Sequence, residues 1–140
     1  MLPPGSHPSL DVYDNALFVL AVRALVHLRQ AAPDGSLGPA AESPDWPGVI
    51  KTVSSGVRNT LWDAAAKRYR PHVYLSARGS PFPADFDEGA HYCSGSTFVA
   101  AQAGLLTRQE FLDVLLSMQA NVAEVNAAGG AVTLGMTIYP

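Results

Sequence analysis

YDNALFVLAVRALVHLRQAA, Tyr13 to Ala32, is the stretch whose reading decides the fold. Leu17, Leu20, Ala21, Ala24, Leu25 and Leu28 recur at helical spacing. Phe18, Val19, Val22 and Val26 fill much of the remaining circumference, so the predicted helix is apolar nearly all round. Such a helix is one packed on several sides. Asp14 or Asn15, just before the apolar series, suits the start of that helix by accepting a bond from an orphan backbone N–H.

The same grammar repeats downstream. After a loop of Gly, Pro, Asp and Ser at Pro33 to Pro44, Asp45 is a cap candidate and Pro47 falls in a first helical turn. The spacing of Trp46, Val49, Ile50, Val53, Val57, Leu61 and Ala64 predicts a second helix, drawn from DWPGVIKTVSSGVRNTLWDAAAKRY. Gly56 weakens it by roughly 1 kcal/mol relative to Ala, which implies close packing at that point. RYRPHVYL, Arg68 to Leu75, reads as extended because Pro71 interrupts any helix and Val73 to Leu75 favour strand.

A long loop then leads to STFVAAQAGLL, a short helix with Gly104 near its end. Thr107 to Glu110 has the spacing of a capping box and opens a last helix. Phe111, Leu115, Met118 and Val122 fall on one side of it, with Leu112 and Leu116 beside them. NAAGG at Asn126 to Gly130 ends it, and AVTLGMTIYP reads as an extended apolar tail. The predicted fold class is all-α: about four helices in two helical hairpins, one domain over 1–140, with long loops and short extended segments.

Hydrophobic residues make up 48% of the 140 and charged residues only 15%, low for a small monomer with much surface to solvate. These helices should therefore carry more apolar surface than they cover among themselves. A net charge of −3 leaves no basic stripe for a phosphate backbone, which argues against nucleic acid. The longest apolar run, Ala16 to Val22, is far short of the roughly 20 residues a bilayer requires. MLPPGSHPSLDVYD lacks the pattern of a signal peptide, and a lone Cys93 forms no internal disulfide. Together these point to a cytoplasmic chain with no membrane partner.

FDEGAHYCSGSTF, Phe86 to Phe98, gathers the polar chemistry. Asp85, Asp87 and Glu88 suit a general acid or base, or else they solvate a loop and cap the next helix. Asp14 carries the same two readings. Glu88, His91 and Cys93 lack any familiar zinc spacing, so neither metal nor another cofactor is expected. Cys93 with His91 or His72 offers a nucleophile and base only in outline. Phe82, Phe86 and Tyr92 stand among acids in a loop, an arrangement suited to stacking on sugar rings.

YDNALFVLAVRAL, LWDAAAKRYRPHVYL, FDEGAHYCSGSTFVAAQAGLL and VTLGMTIYP together resemble parts of a six-hairpin glycosidase. The resemblance implies a segment of an (α/α)6 toroid, about two of its six hairpins, within a larger domain. It implies a glycoside hydrolase-like protein with an oligosaccharide or glycoside as substrate and an inverting pair of carboxylates. On that reading Asp14 and either Asp87 or Glu88 are the catalytic acids, with Asn15, Phe86, His91 and Tyr92 as sugar contacts. The competing expectation is a helical interaction module without catalytic activity, forming homo-oligomers through its excess apolar surface. An enzyme of another class built on Cys93 is a third.

Overall fold

A computed structural model describes residues 7–32, 44–75, 79–86, 92–129 and 137–138 of the chain. Strand β1, Ser9–Asp11, runs directly into α1, Val12–Ala31. The cap is Asp11, not Asp14 or Asn15: its extended backbone, φ −134° and ψ 162°, lets its side chain accept the Asp14 N–H. The helix therefore begins two residues earlier than Asp14, and Asp14 sits in its first turn. Val12, Ala16, Val19 and Val22 are buried along one side. Tyr13, Leu17, Ala21, Ala24 and Leu28 lie exposed along the opposite one. The helix is apolar on both sides, as its sequence implies, but only one is covered.

Helix α2, Trp46–Leu61, starts as read: the Asp45 carboxylate accepts the Gly48 N–H at 3.1 Å and Pro47 occupies the first turn. It stops at Leu61 rather than running to Tyr69. There Asp63 Oδ1 accepts the backbone N–H groups of Ala65 and Ala66, and Lys67 turns the chain with φ 51°. This local bonding competes with helix continuation. It folds β2, Trp62–Asp63, back on β3, Arg68–Tyr69, as a tight antiparallel hairpin with Trp62 opposite Tyr69. Gly56 is not a point of close packing: a Cβ built on it meets nothing within 4 Å.

Strand β4, His72–Tyr74, pairs antiparallel with β1, in the register Ser9 with Tyr74 and Asp11 with His72. Strand β5, Tyr92–Cys93, leads into α3, Ser94–Gln102, and pairs with β6, Thr137–Ile138. A turn with Gly104 at φ 65° separates α3 from α4, Arg108–Ala127, whose Thr107–Glu110 capping box is complete. The architecture is mostly helical, with four helices among the described residues and three two-stranded ladders that "all-α" leaves out.

Helix α1 is central and packs on both α2 and α3. The core gathers Val12, Ala16 and Val19 of α1, Val57 and Leu61 of α2, Tyr69, and Ala100, Ala103, Leu105 and Leu106 of the α3 corner. In α4 the buried stripe is Val114, Met118, Asn121 and Val125, rotated from the one the spacing of Leu115 and Val122 suggests. Leu112 and Leu116 are left 42% and 63% exposed.

The α2 and α4 helices are tied together by one ion pair. Both Arg58 guanidinium nitrogens donate to the Glu110 carboxylate, whose Oε2 also accepts from the backbone and hydroxyl of Thr107. The bond from Arg58, aided by Thr107 and opposed by partial burial, lowers the Glu110 carboxyl from 4.5 to about 2. A carboxyl whose folded pKa lies below its unfolded value stabilises the fold above the unfolded value and loses that contribution as the pH falls. The loss belongs between pH 4.5 and about 2. Glu110→Gln should flatten the decline of the urea midpoint with falling pH in that window. Equal slopes for variant and parent would show that the pair carries no stability.

Candidate functional site

The start of α1 assembles the polar groups that sequence analysis singled out nearest the N-terminus. Asp11 is committed to structure, since its Oδ1 accepts the Asp14 N–H at 2.8 Å. Asn15 is committed too: its Nδ2 donates to the Asp11 carbonyl at 2.7 Å, stitching the first turn to β1. The Asp14 carboxylate is exposed and bonds to no described residue. It stands at a helix N-terminus, where the partial positive charge of unpaired N–H groups favours an anion. Capping therefore does not account for Asp14.

The β1–β4 ladder brings His72 opposite Asp11, two residues before Tyr74, whose ring centroid lies 5.9 Å from that of His72. Beyond β4 the chain stays bound to the segment preceding α1. Leu75 N–H donates to the Pro8 carbonyl at 2.8 Å, and His7 Nδ1 donates to the Gly79 carbonyl at 2.9 Å. The first part of the polar loop is thus anchored on the N-terminal strand. There a turn closed by Phe86 N–H on the Pro83 carbonyl, 3.0 Å, sets the Phe82 and Phe86 rings 4.7 Å apart. Both rings are exposed, Phe86 to 36%.

Asn15 also lines a small groove of about 160 Å³ with Leu10, Val53, Gly56, Val57, Thr60 and Leu61. The missing side chain of Gly56 opens this groove between the start of α1 and the C-terminal half of α2. Of the remaining candidates, Asp87, Glu88 and His91 lie outside the described residues, and Tyr92 is placed by its backbone pairing with Ile138. Asp14, Asn15 and Phe86 are therefore the candidates with a described setting. Among the described residues no three His, Cys, Asp or Glu side chains form a cluster able to hold a metal ion.

Sequence reasoning missed Asp11 and the Asp11–His72 register. The signal for the first is the spacing Asp11-x-x-Asp14, a cap followed three residues later by an acid. The second is a long-range pairing with no local signature. Comparison with known families, with characterised proteins and with solved structures finds no match for this chain. Among the described residues, no helix is long and apolar enough to cross a membrane.

The two acids separate by substitution. Asp11→Ala removes the cap and should cost about 1 kcal/mol of stability in urea denaturation. Asp14→Asn should cost only a few tenths of that scale, since it removes a screened charge–dipole attraction. A loss for Asp14→Asn as large as for Asp11→Ala would return Asp14 to a structural role.

Proposed function

We propose that the chain is carbohydrate-active: a glycoside hydrolase-like segment of an (α/α)6 arrangement in which α1 is flanked by helices on both sides. One observation carries the reading. The uncovered face of α1, Tyr13, Leu17, Ala21, Ala24 and Leu28, is apolar along its length, and the Asp14 carboxylate, which bonds to no described residue, stands at its N-terminal end. A helix apolar on two sides is built to be buried on two sides. An acid without a structural duty at the open end of such a helix suits a polar funnel inside a ring of helices.

In that setting Asp14 is one member of an inverting pair. One carboxylic acid protonates the glycosidic oxygen while the other carboxylate activates water, the two standing about 6.5–9.5 Å apart. Asp87 or Glu88 is the proposed second member. The exposed rings of Phe82 and Phe86 offer a stacking surface for a sugar. Asn15 spends one amide hydrogen on the Asp11 carbonyl, leaving its oxygen for a hydroxyl.

A second reading, an interaction module that self-associates, is favoured by α4. Leu112 and Leu116 stand exposed one turn apart on a side of the helix where Gln109, Gln119 and Ala123 are uncharged and Arg108 is the one charge at its N-terminal end.

A panel of neutral oligosaccharides separates the readings. The carbohydrate reading expects one class to raise the melting temperature of the chain, by several degrees at saturation. Asp14→Asn should abolish that shift or any accompanying hydrolysis while the unliganded melting temperature stays within a degree or two. A chain that dimerises in sedimentation and responds to no glycan supports the interaction module instead.

A further inference from the structure

We infer that α4 pairs with α4 of a second copy of this chain, antiparallel across a twofold axis that passes beside Leu116. The inference rests on the self-association reading of α4 and asks nothing of the role given to Asp14. It adds the orientation and the register of the pair.

Side-chain size selects the orientation. Leu116 is the most exposed large apolar side chain among the described residues, and Leu112 stands one turn before it. Phe98 of α3 is exposed too, and its ring meets Phe111 edge to face at 5.8 Å, so the apolar surface runs on from α4 to α3. Along α4 the exposed side chains shrink: Leu112 and Leu116 come first, then Ala120 and Ala123. A parallel copy would set leucine against leucine and alanine against alanine, leaving a gap at one end. An antiparallel copy sets each Leu112 against the partner's Ala120 and the partner's Ala123, so that volume matches along the whole seam.

Charge selects the same orientation. Arg108 opens α4, at the positive end of the helix dipole, and makes no ion pair with a described residue. The last turn, at the negative end, contains Glu124 and no basic residue. Each charge thus stands at the pole of its own sign. With the axis at Leu116, Arg108 is level with the partner's Glu124, because the two positions are equally far from Leu116 in sequence. Each cation then meets the negative end of the other helix, whereas a parallel pair would bring the two arginines together. Gln109, Gln119, Ala120 and Ala123 are exposed and uncharged, so closing the seam buries no unpaired charge there.

The test begins with sedimentation of the 140-residue chain at rising concentration, to ~1 mM. A monomer–dimer equilibrium is expected. Leu116→Glu should weaken it at least about a hundredfold, because the twofold brings both new charges together. Arg108→Glu should weaken the dimer while raising the melting temperature of the dilute monomer, since an acid suits the start of the helix. An arginine with only a structural role would not separate those two readouts. In a Cys93→Ser background, oxidation should join Leu116→Cys to itself and Gln109→Cys to Ala123→Cys in a mixture of the two variants. Ala123→Cys alone should not crosslink, because its two copies lie about 20 Å apart along the helices. A dimer in which Ala123→Cys joins itself, or which Arg108→Glu tightens, overturns the antiparallel register and leaves self-association standing. A chain that stays monomeric throughout overturns both.

Discussion

The carbonyl oxygen of Leu105 is the point on which the hairpins meet. The buried Tyr69 hydroxyl donates to it at 2.7 Å, and an Arg58 nitrogen stands 3.5 Å away. Arg58 lies over the Trp62 ring at 4.8 Å, and Trp62 meets Tyr69 edge to face at 5.1 Å. The corner that ends α3 is thus read by α2, by the β2–β3 hairpin and, through Glu110, by the capping box that opens α4. Burial raises the Tyr69 hydroxyl pKa, so it remains a donor throughout the neutral range. Besides this corner, α3 and α4 are held by the packing of α3 on α1 and by the Lys67–Asp113 ion pair. The early stop of α2 at Leu61, set locally by Asp63, is what brings Tyr69 to Leu105.

That corner organises one side of α1 and leaves the other open. The surface left open includes the apolar row from Tyr13 to Leu28 and the Leu112–Leu116 face of α4. The carbohydrate reading gives the first row neighbours in a ring and gives Asp14 a polar interior to face.

Local signals were legible in the sequence and long-range ones were not. Asp45 and Thr107 cap as read, because a cap is decided within three residues. Helix α1 was legible as a helix of two apolar sides, but spacing alone could not say which side is buried: Val12, Ala16, Val19 and Val22 won over Leu17, Ala24 and Leu28. The reading of Gly56 failed because a glycine marks either close approach or open space, and only the neighbouring helix decides. In α4 the buried stripe admits Asn121, a polar residue that no hydrophobic count would select. For the site, Asp14 was legible as an acid at a helix start, but the duty of capping passed to Asp11 through a strand whose partner lies sixty residues downstream. The loop acids, Asp87 and Glu88, rest on resemblance alone.

Helix α1 presents a second apolar face that the other described elements leave uncovered. Binding of the dye anilinonaphthalene sulfonate to dilute, folded protein measures that face directly, with near-ultraviolet circular dichroism recorded alongside to exclude a loosened core. Strong fluorescence enhancement with a native dichroism signal, reduced when Leu17 and Leu28 are both changed to Gln, is the result expected. A well-ordered chain that leaves the dye dark would contradict it.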